Sequence, residues 1–96
     1  MVGGLKTIIV KAGHEQEFEQ LFKQLREEMI SHEPDCLLYS LLKSRTTPGA
    51  YIVQEQYTDQ AALDRHEASA HGARYFPRIR AILDHITVEY FDSVVE

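Results

Sequence analysis

The 96-residue chain has one cysteine, Cys36, so no internal disulfide can form, and such sparing use fits a reducing compartment. Cys36 lies in an apolar run and reads as a small buried hydrophobe, not a nucleophile. Basic charge is scarce: ten Lys and Arg stand against fifteen Asp and Glu, a formal net charge of −5. That balance disfavours a nucleic-acid partner, which needs clustered Lys and Arg. Arg74, Arg78 and Arg80 do gather, but Asp64, Glu67 and Asp84 flank them, as on a solvated helical face. No apolar run approaches the ~20 residues of a membrane span, and the N-terminal stretch lacks the apolar core and cleavage pattern of a signal peptide. Nucleic-acid and membrane partners are therefore not expected, and a cytoplasmic location is. A glycine-rich phosphate loop is missing as well. Gly3-Gly4 precedes a strand instead of joining strand to helix, so no nucleotide cofactor is expected.

What is there describes one ordinary globular domain over residues 1–96, with 44% apolar and 26% charged residues. A chain this short gains much from oligomerisation. Leu5 to Ala12 is rich in β-branched residues and reads as a strand after a flexible Gly3-Gly4. Gly13 punctuates the chain, and Glu15 and Glu17 follow where a helix N-terminus favours negative charge. Phe18, Leu21, Phe22, Leu25 and Met29 form a stripe at helical spacing, predicting a core-facing helix from about His14 to Ser31. Pro34-Asp35 ends it.

Cys36 to Arg45 reads as a strand with Leu37, Tyr39 and Leu41 on one face and Leu38 and Leu42 on the other. In Thr46-Thr47-Pro48-Gly49, proline presets one turn torsion and glycine accepts positive φ, so Ala50 to Tyr57 returns as a hairpin partner. Thr58 or Asp59 caps a short helix carrying Ala62, Leu63 and His66, and Ser69 caps a further helical segment with His71, Tyr75 and Phe76. Pro77 predicts a break and a fresh turn through Leu83. Ile86 to Phe91 is the last strand. The order β-α-β-β-α-β is the split unit of α+β ferredoxin-like folds. Helices there cover one sheet face only, yet the first two strands are apolar on both. A second copy packed sheet to sheet, hence a homodimer, is the expectation.

Five histidines raise the question of metal. His66-Glu67 with His71 is one residue too long for the zinc-protease motif, whose histidines stand at i and i+4. At i+5 they point about 140° apart on a regular helix of ~3.6 residues per turn. With no third ligand suggested by spacing, no metal site is expected. What remains is acid, phenol and imidazole. Strand alternation puts Tyr51, Val53, Glu55 and Tyr57 on one face. If that face meets the helices, Glu55 is a carboxylate among apolar groups. It is then either a general base or a group orienting His66, or one half of an ion pair with an arginine such as Arg74. His66, three residues after Leu63, lies on the apolar side of its helix, either packed in the core or placed for proton transfer near neutral pH. His71 could equally bond free backbone groups at a helix start. His14, His32 and His85 read as surface residues. Tyr39, Tyr57, Tyr75 and Phe76 either line a pocket for a flat aromatic ligand or fill the core.

Taken in order, Ala12-Gly13-His14-Glu15, then Glu33-Pro34-Asp35-Cys36-Leu37-Leu38-Tyr39, then Tyr51, Glu55 and Tyr57, then Ala62-Leu63 with His66 and Ser69 with His71, the chain resembles the antibiotic biosynthesis monooxygenase domain over nearly its whole length. The resemblance implies a dimeric α+β barrel without a cofactor. It also implies an activity, oxidation of polycyclic phenols, anthrones or quinols with dioxygen. The implied route is deprotonation, electron transfer from the carbanion to oxygen, and collapse to a quinone inside a dry cavity. Carried over by position, His66 would be base or proton relay and Glu55 its partner. Tyr57 and Tyr39 would be the substrate wall, with His71 and Phe76 beside them.

The chain departs from the family at Tyr57, where many members have tryptophan, and at Asp35, where many have glycine. The polyketide-tailoring branch relies on asparagine and tryptophan, and the haem-degrading branch on an asparagine–tryptophan–histidine set. This sequence holds neither residue type, which excludes both sets as such. Two other readings use the same side chains. One is an isomerase moving a proton between carbons of a small ketone, told apart by its indifference to oxygen. The other is a non-catalytic ligand-binding dimer in which the cluster is structural.

Overall fold

A computed structural model describes residues 1–96. The elements are β1 (Val2–Val10), α1 (Glu15–His32), β2 (Cys36–Lys43), β3 (Ala50–Tyr57), α2 (Gln60–Glu67), α3 (Ala70–Arg80) and β4 (Leu83–Asp92). The four strands form one sheet in the order β2-β3-β1-β4, with every neighbouring pair antiparallel. This is the expected ferredoxin-like α+β fold, with its second helix divided into α2 and α3.

The two-residue alternation of β3 is realised as predicted. Tyr51, Val53, Glu55 and Tyr57 are all buried on the helix side, and β1 presents Val2, Ile8 and Val10 to the same side. The α1 stripe of Phe18, Leu21, Phe22, Leu25 and Met29 closes over them, each such side chain contributing about 1.5–3 kcal/mol of burial. Arg26 Nε donates to the Tyr39 carbonyl at 2.9 Å and ties α1 to β2. Gly49 has φ +77°, as the turn requires, and its carbonyl accepts from Val10 N–H at 2.8 Å.

Several expectations need correction. Gly3-Gly4 is not a flexible lead-in but part of β1, paired with Gln56 and Glu55 on one side and Phe91 and Tyr90 on the other. Closeness explains Gly4: a Cβ there would stand 2.8 Å from Glu55 Cγ and 3.0 Å from Tyr90 Cε1. Pro77 does not break its helix, since α3 runs through it to Arg80. Proline removes one backbone donor, but Tyr75, Phe76 and Ile79 on either side pack against the core and hold the segment helical. In β2 the register shifts between Cys36 and Leu38, so Leu37 is exposed while Tyr39 is buried.

On the side away from the helices, Leu5, Leu42, Ile52 and Phe91 remain exposed and share a face by strand register. No helix is long and apolar enough to cross a membrane.

Candidate active site

A cavity of about 330 Å³ lies between the helix side of the sheet and the helices. Its wall includes Lys6 from β1, Tyr39 from β2, His66 from α2, Phe76 and Arg80 from α3, and Tyr90 from β4, and most of the rest is aliphatic or aromatic. A concave, mainly apolar volume with a few converging polar groups suits a small flat ligand.

His66 is the most constrained of these groups. Asp59 caps α2 by accepting from Ala62 N–H at 2.8 Å, which starts the helix so that Ala62, Leu63 and His66 face inward. The imidazole is 1% exposed and sits among three rings, with centroids 5.5 Å from Tyr39, 5.4 Å from Tyr57 and 5.3 Å from Phe76. Its Nδ1 lies 3.1 Å from both carboxylate oxygens of Glu33. Its Nε2 is buried with no hydrogen-bond partner. With Glu33 ionised, Nδ1 carries the ring proton and Nε2 keeps the lone pair.

Glu33 also takes the Nε2–H of His71, so one carboxylate holds two imidazoles. Ser69 fixes the relative placement of the two histidines. Its hydroxyl donates to the His66 carbonyl at 2.7 Å and accepts from Gly72 N–H at 3.0 Å, capping α3 as the sequence suggested. The 140° argument against shared ligation fails here, because α2 ends at Glu67 and α3 begins at Ala70. The two rings are therefore not on one helix, and they converge. One carboxylate oxygen of Glu33, Nδ1 of His66 and Nε2 of His71 all lie within 4.8 Å of one another, a set able to hold a metal ion.

Glu55 is fully buried, but its charge partner is neither His66 nor Arg74. Lys6 Nζ stands 3.1 Å from its Oε2, and neither carboxylate oxygen makes a hydrogen bond. Arg74 lies instead over the ring of Tyr75. Burial, with Glu55 nearby, pushes the phenols of Tyr39, Tyr57 and Tyr90 well above the ordinary tyrosine range, so all three stay protonated; the Tyr57 hydroxyl is buried without a hydrogen-bond partner. Burial and the Glu33 charge push the Cys36 thiol up to about 11, which leaves it inert at neutral pH.

Of the six residues singled out from the sequence, His66, Tyr39 and Phe76 line the cavity. Tyr57 packs with Val2, Ala62 and Leu63, and His71 turns to Glu33, so both stand behind His66, outside the lining; Glu55 lies beneath Gly4. Sequence reasoning gave Glu33, Lys6 and Tyr90 no role. A signal for Glu33 existed: a carboxylate at the C-terminal end of a helix opposes the dipole and needs a cationic or N–H partner. Lys6 was legible as well, since it alternates in phase with Ile8 and Val10.

The family model for antibiotic biosynthesis monooxygenase matches residues 1–78. The chain belongs to that family. The fold agrees: a Caulobacter crescentus protein described as a candidate antibiotic biosynthesis monooxygenase superposes with a TM-score of 0.93 at 29% identity, over 98% of this chain and 90% of that one. A second solved structure, named an antibiotic biosynthesis monooxygenase, is 31% identical over 99% of this chain and 100% of its own, with a TM-score of 0.88. A conserved protein from Methanosarcina mazei gives 0.88 at 27% identity, over 94% and 89%. No curated protein matches the chain at a significant level. The family match ends at Arg78, so it takes in Glu33, His66 and His71 but not Arg80 or Tyr90.

Proposed function

We propose that this family member is a monooxygenase that oxidises a small quinol- or anthrone-type aromatic with dioxygen, using no cofactor, and that His66 is its base. Family membership supports the general activity. The observation that carries the residue assignment is the unpartnered, buried Nε2 of His66 on a ring that lines an aromatic cavity and is held from behind by Glu33. An imidazole fixed in this tautomer needs no reorganisation before it accepts a proton.

In the proposed reaction Nε2 takes a proton from the activated ring CH₂ of an anthrone, or of the keto tautomer of a quinol, leaving a carbanion delocalised into the aromatic system. One electron passes to dioxygen, and the substrate radical and superoxide combine to form the C–O bond of a peroxide. The imidazolium returns its proton to the distal peroxide oxygen. Loss of water then leaves a carbonyl: one CH₂ and one O₂ become one C=O and one H₂O. Tyr39, Phe76 and Tyr90 form the ring-stacking wall; the phenol of Tyr39, held protonated, can donate to a developing oxyanion, whereas that of Tyr90 donates to Glu67.

The test is oxygen uptake on a panel of naphthoquinols and anthrones, run beside His66→Ala. Uptake well above autoxidation in the wild type and lost in the variant is expected. Uptake that survives the substitution would remove His66 as the base. Proton exchange at carbon without oxygen consumption would favour the isomerase reading. We further propose that the exposed face bearing Leu5, Leu42, Ile52 and Phe91 is covered by a second copy of the chain.

A further inference from the structure

We propose that Glu33, His66 and His71 form a binding site for one divalent transition-metal ion of the zinc or cobalt type. Two imidazole nitrogens and a carboxylate oxygen are the donors that such borderline ions take, and three protein ligands leave positions for water. The three donors come from separate elements: the end of α1, the last turn of α2 and the first turn of α3. They nonetheless lie within 4.8 Å of one another. Metal–ligand lengths of about 2.0–2.2 Å place tetrahedral donors roughly 3.2–3.6 Å apart, so side-chain rotation of about an ångström suffices.

A second observation points to a cation. Glu33 is a nearly buried carboxylate at a helix C-terminus, where the macrodipole opposes it, and its side chain is 9% exposed. The groups within ion-pair reach are the two imidazoles, and no Lys or Arg stands there. The nearest arginine on α2, Arg65, is committed to Asp35 at 2.8 Å. A divalent ion would balance the Glu33 charge and take the place of the two N–H protons that now bridge the carboxylate to the imidazoles. A cleft of about 110 Å³, lined by Glu33 and His71 with His32, Asp35, Arg65 and Ser69, gives the site a route from solvent and room for a water ligand.

The site lies behind His66 relative to the large cavity, so the ion would not meet a substrate there. It would act on the base. Ligation at Nδ1 displaces the proton that Glu33 holds there and leaves the neutral ring protonated at Nε2, the atom that must be free in the proposed oxidation. Occupied protein would therefore be silent as an oxygenase, a consequence that rests on the functional reading above.

Binding is read without activity. Cobalt(II) titrated into metal-free protein should produce a visible absorption band that saturates at one equivalent, and zinc should displace it. His71→Ala and Glu33→Gln should each weaken binding by more than the 10–100-fold that loss of an outer-shell partner costs. His85→Ala, on β4, should leave it unchanged. Should either site variant fail to fold, ring nitrogen shifts in the wild type decide: zinc should move the signals of His66 and His71 and leave those of His14 and His85 in place. Absence of a saturating band, binding indifferent to His71→Ala and Glu33→Gln, or ring shifts confined to surface histidines would overturn the site. Oxygen uptake undiminished in the one-equivalent zinc form would overturn the silencing. A metal-free protein with no oxygenase activity would instead sink the functional reading, with the cobalt titration still judging the site.

Discussion

Glu33 and His66, 33 residues apart, meet at 3.1 Å, and the carboxylate fixes which nitrogen of the buried imidazole is left free. The same carboxylate carries His71. Removing it strands two buried N–H groups, each costing about 1–3 kcal/mol when unsatisfied. Glu33→Ala should lower stability by about 2–4 kcal/mol, measured by urea denaturation. Oxygen uptake should fall in the fraction that remains folded. A change below 1 kcal/mol would mean that the histidines find water or each other instead.

Lys6 and Glu55 make a second buried relationship, 3.1 Å apart with the carboxylate fully enclosed. Breaking a buried pair from one side leaves an uncompensated charge and costs about 3–5 kcal/mol. Lys6→Met is expected to lose about that much stability. The double variant Lys6→Met, Glu55→Gln should recover most of it, because the charge to be buried is gone. Equal destabilisation in the single and double variants would mean that the lysine stem, not its charge, is what matters.

The adjacent glycines of β1 separate cleanly by what surrounds them. A Cβ at Gly4 meets Glu55 Cγ at 2.8 Å and Tyr90 Cε1 at 3.0 Å, whereas at Gly3 the nearest atom is a backbone oxygen at 3.7 Å. Gly4→Ala should cost about 1–3 kcal/mol by overpacking and disturb the cavity wall at Tyr90. Gly3→Ala should be close to neutral. Thermal melts of the two variants compare them directly, and equal melting temperatures would refute the packing argument.

The Tyr51 hydroxyl donates to Glu19 Oε2 at 2.5 Å, with Lys43 Nζ 3.3 Å from the same oxygen and Glu15 facing the phenol. The Tyr51 bond, then Lys43, hold the Glu19 carboxyl below its ordinary value; burial and Glu19 hold the Tyr51 phenol above its own. A depressed carboxyl stabilises the fold above its unfolded pKa, ~4.3, and that stability is lost as pH falls through the lower folded value. A raised phenol works at the other end: its contribution is complete below the unfolded pKa of ~10 and lost above it. Tyr51→Phe should therefore flatten the stability–pH curve in both flanks while costing most between them. A curve lowered uniformly at every pH would show that the hydroxyl acts only by packing.

If a second copy covers the apolar sheet face, unfolding is coupled to dissociation and the melting temperature rises with protein concentration. Ile52→Lys, placed at the middle of that face, should give a monomer in sedimentation while the helix-side core stays intact. A monomeric wild type with a concentration-independent transition would remove the dimer.

Much of the fold was legible because periodicity reports faces. The α1 stripe and the alternation of Tyr51, Val53, Glu55 and Tyr57 each named their buried side correctly. Asp59 and Ser69 announced two helix starts by their capping chemistry. Pro77 misled because a local rule was outweighed by packing on both sides of it. Lone pairings were beyond reach. The expected partner of His66 was Glu55, near in sequence and on the correct face, yet the carboxylate that arrives is Glu33, from the far end of α1.

The sequence by itself determined which residues face inward, since the 2.0 and 3.6 residue periods are properties of a single segment. Only the tertiary structure decided which inward groups touch. That depends on how α1 crosses the sheet and on the break at Ala68-Ser69 that turns His71 back toward His66. Both are set by packing between segments far apart in the chain, where no local period reaches.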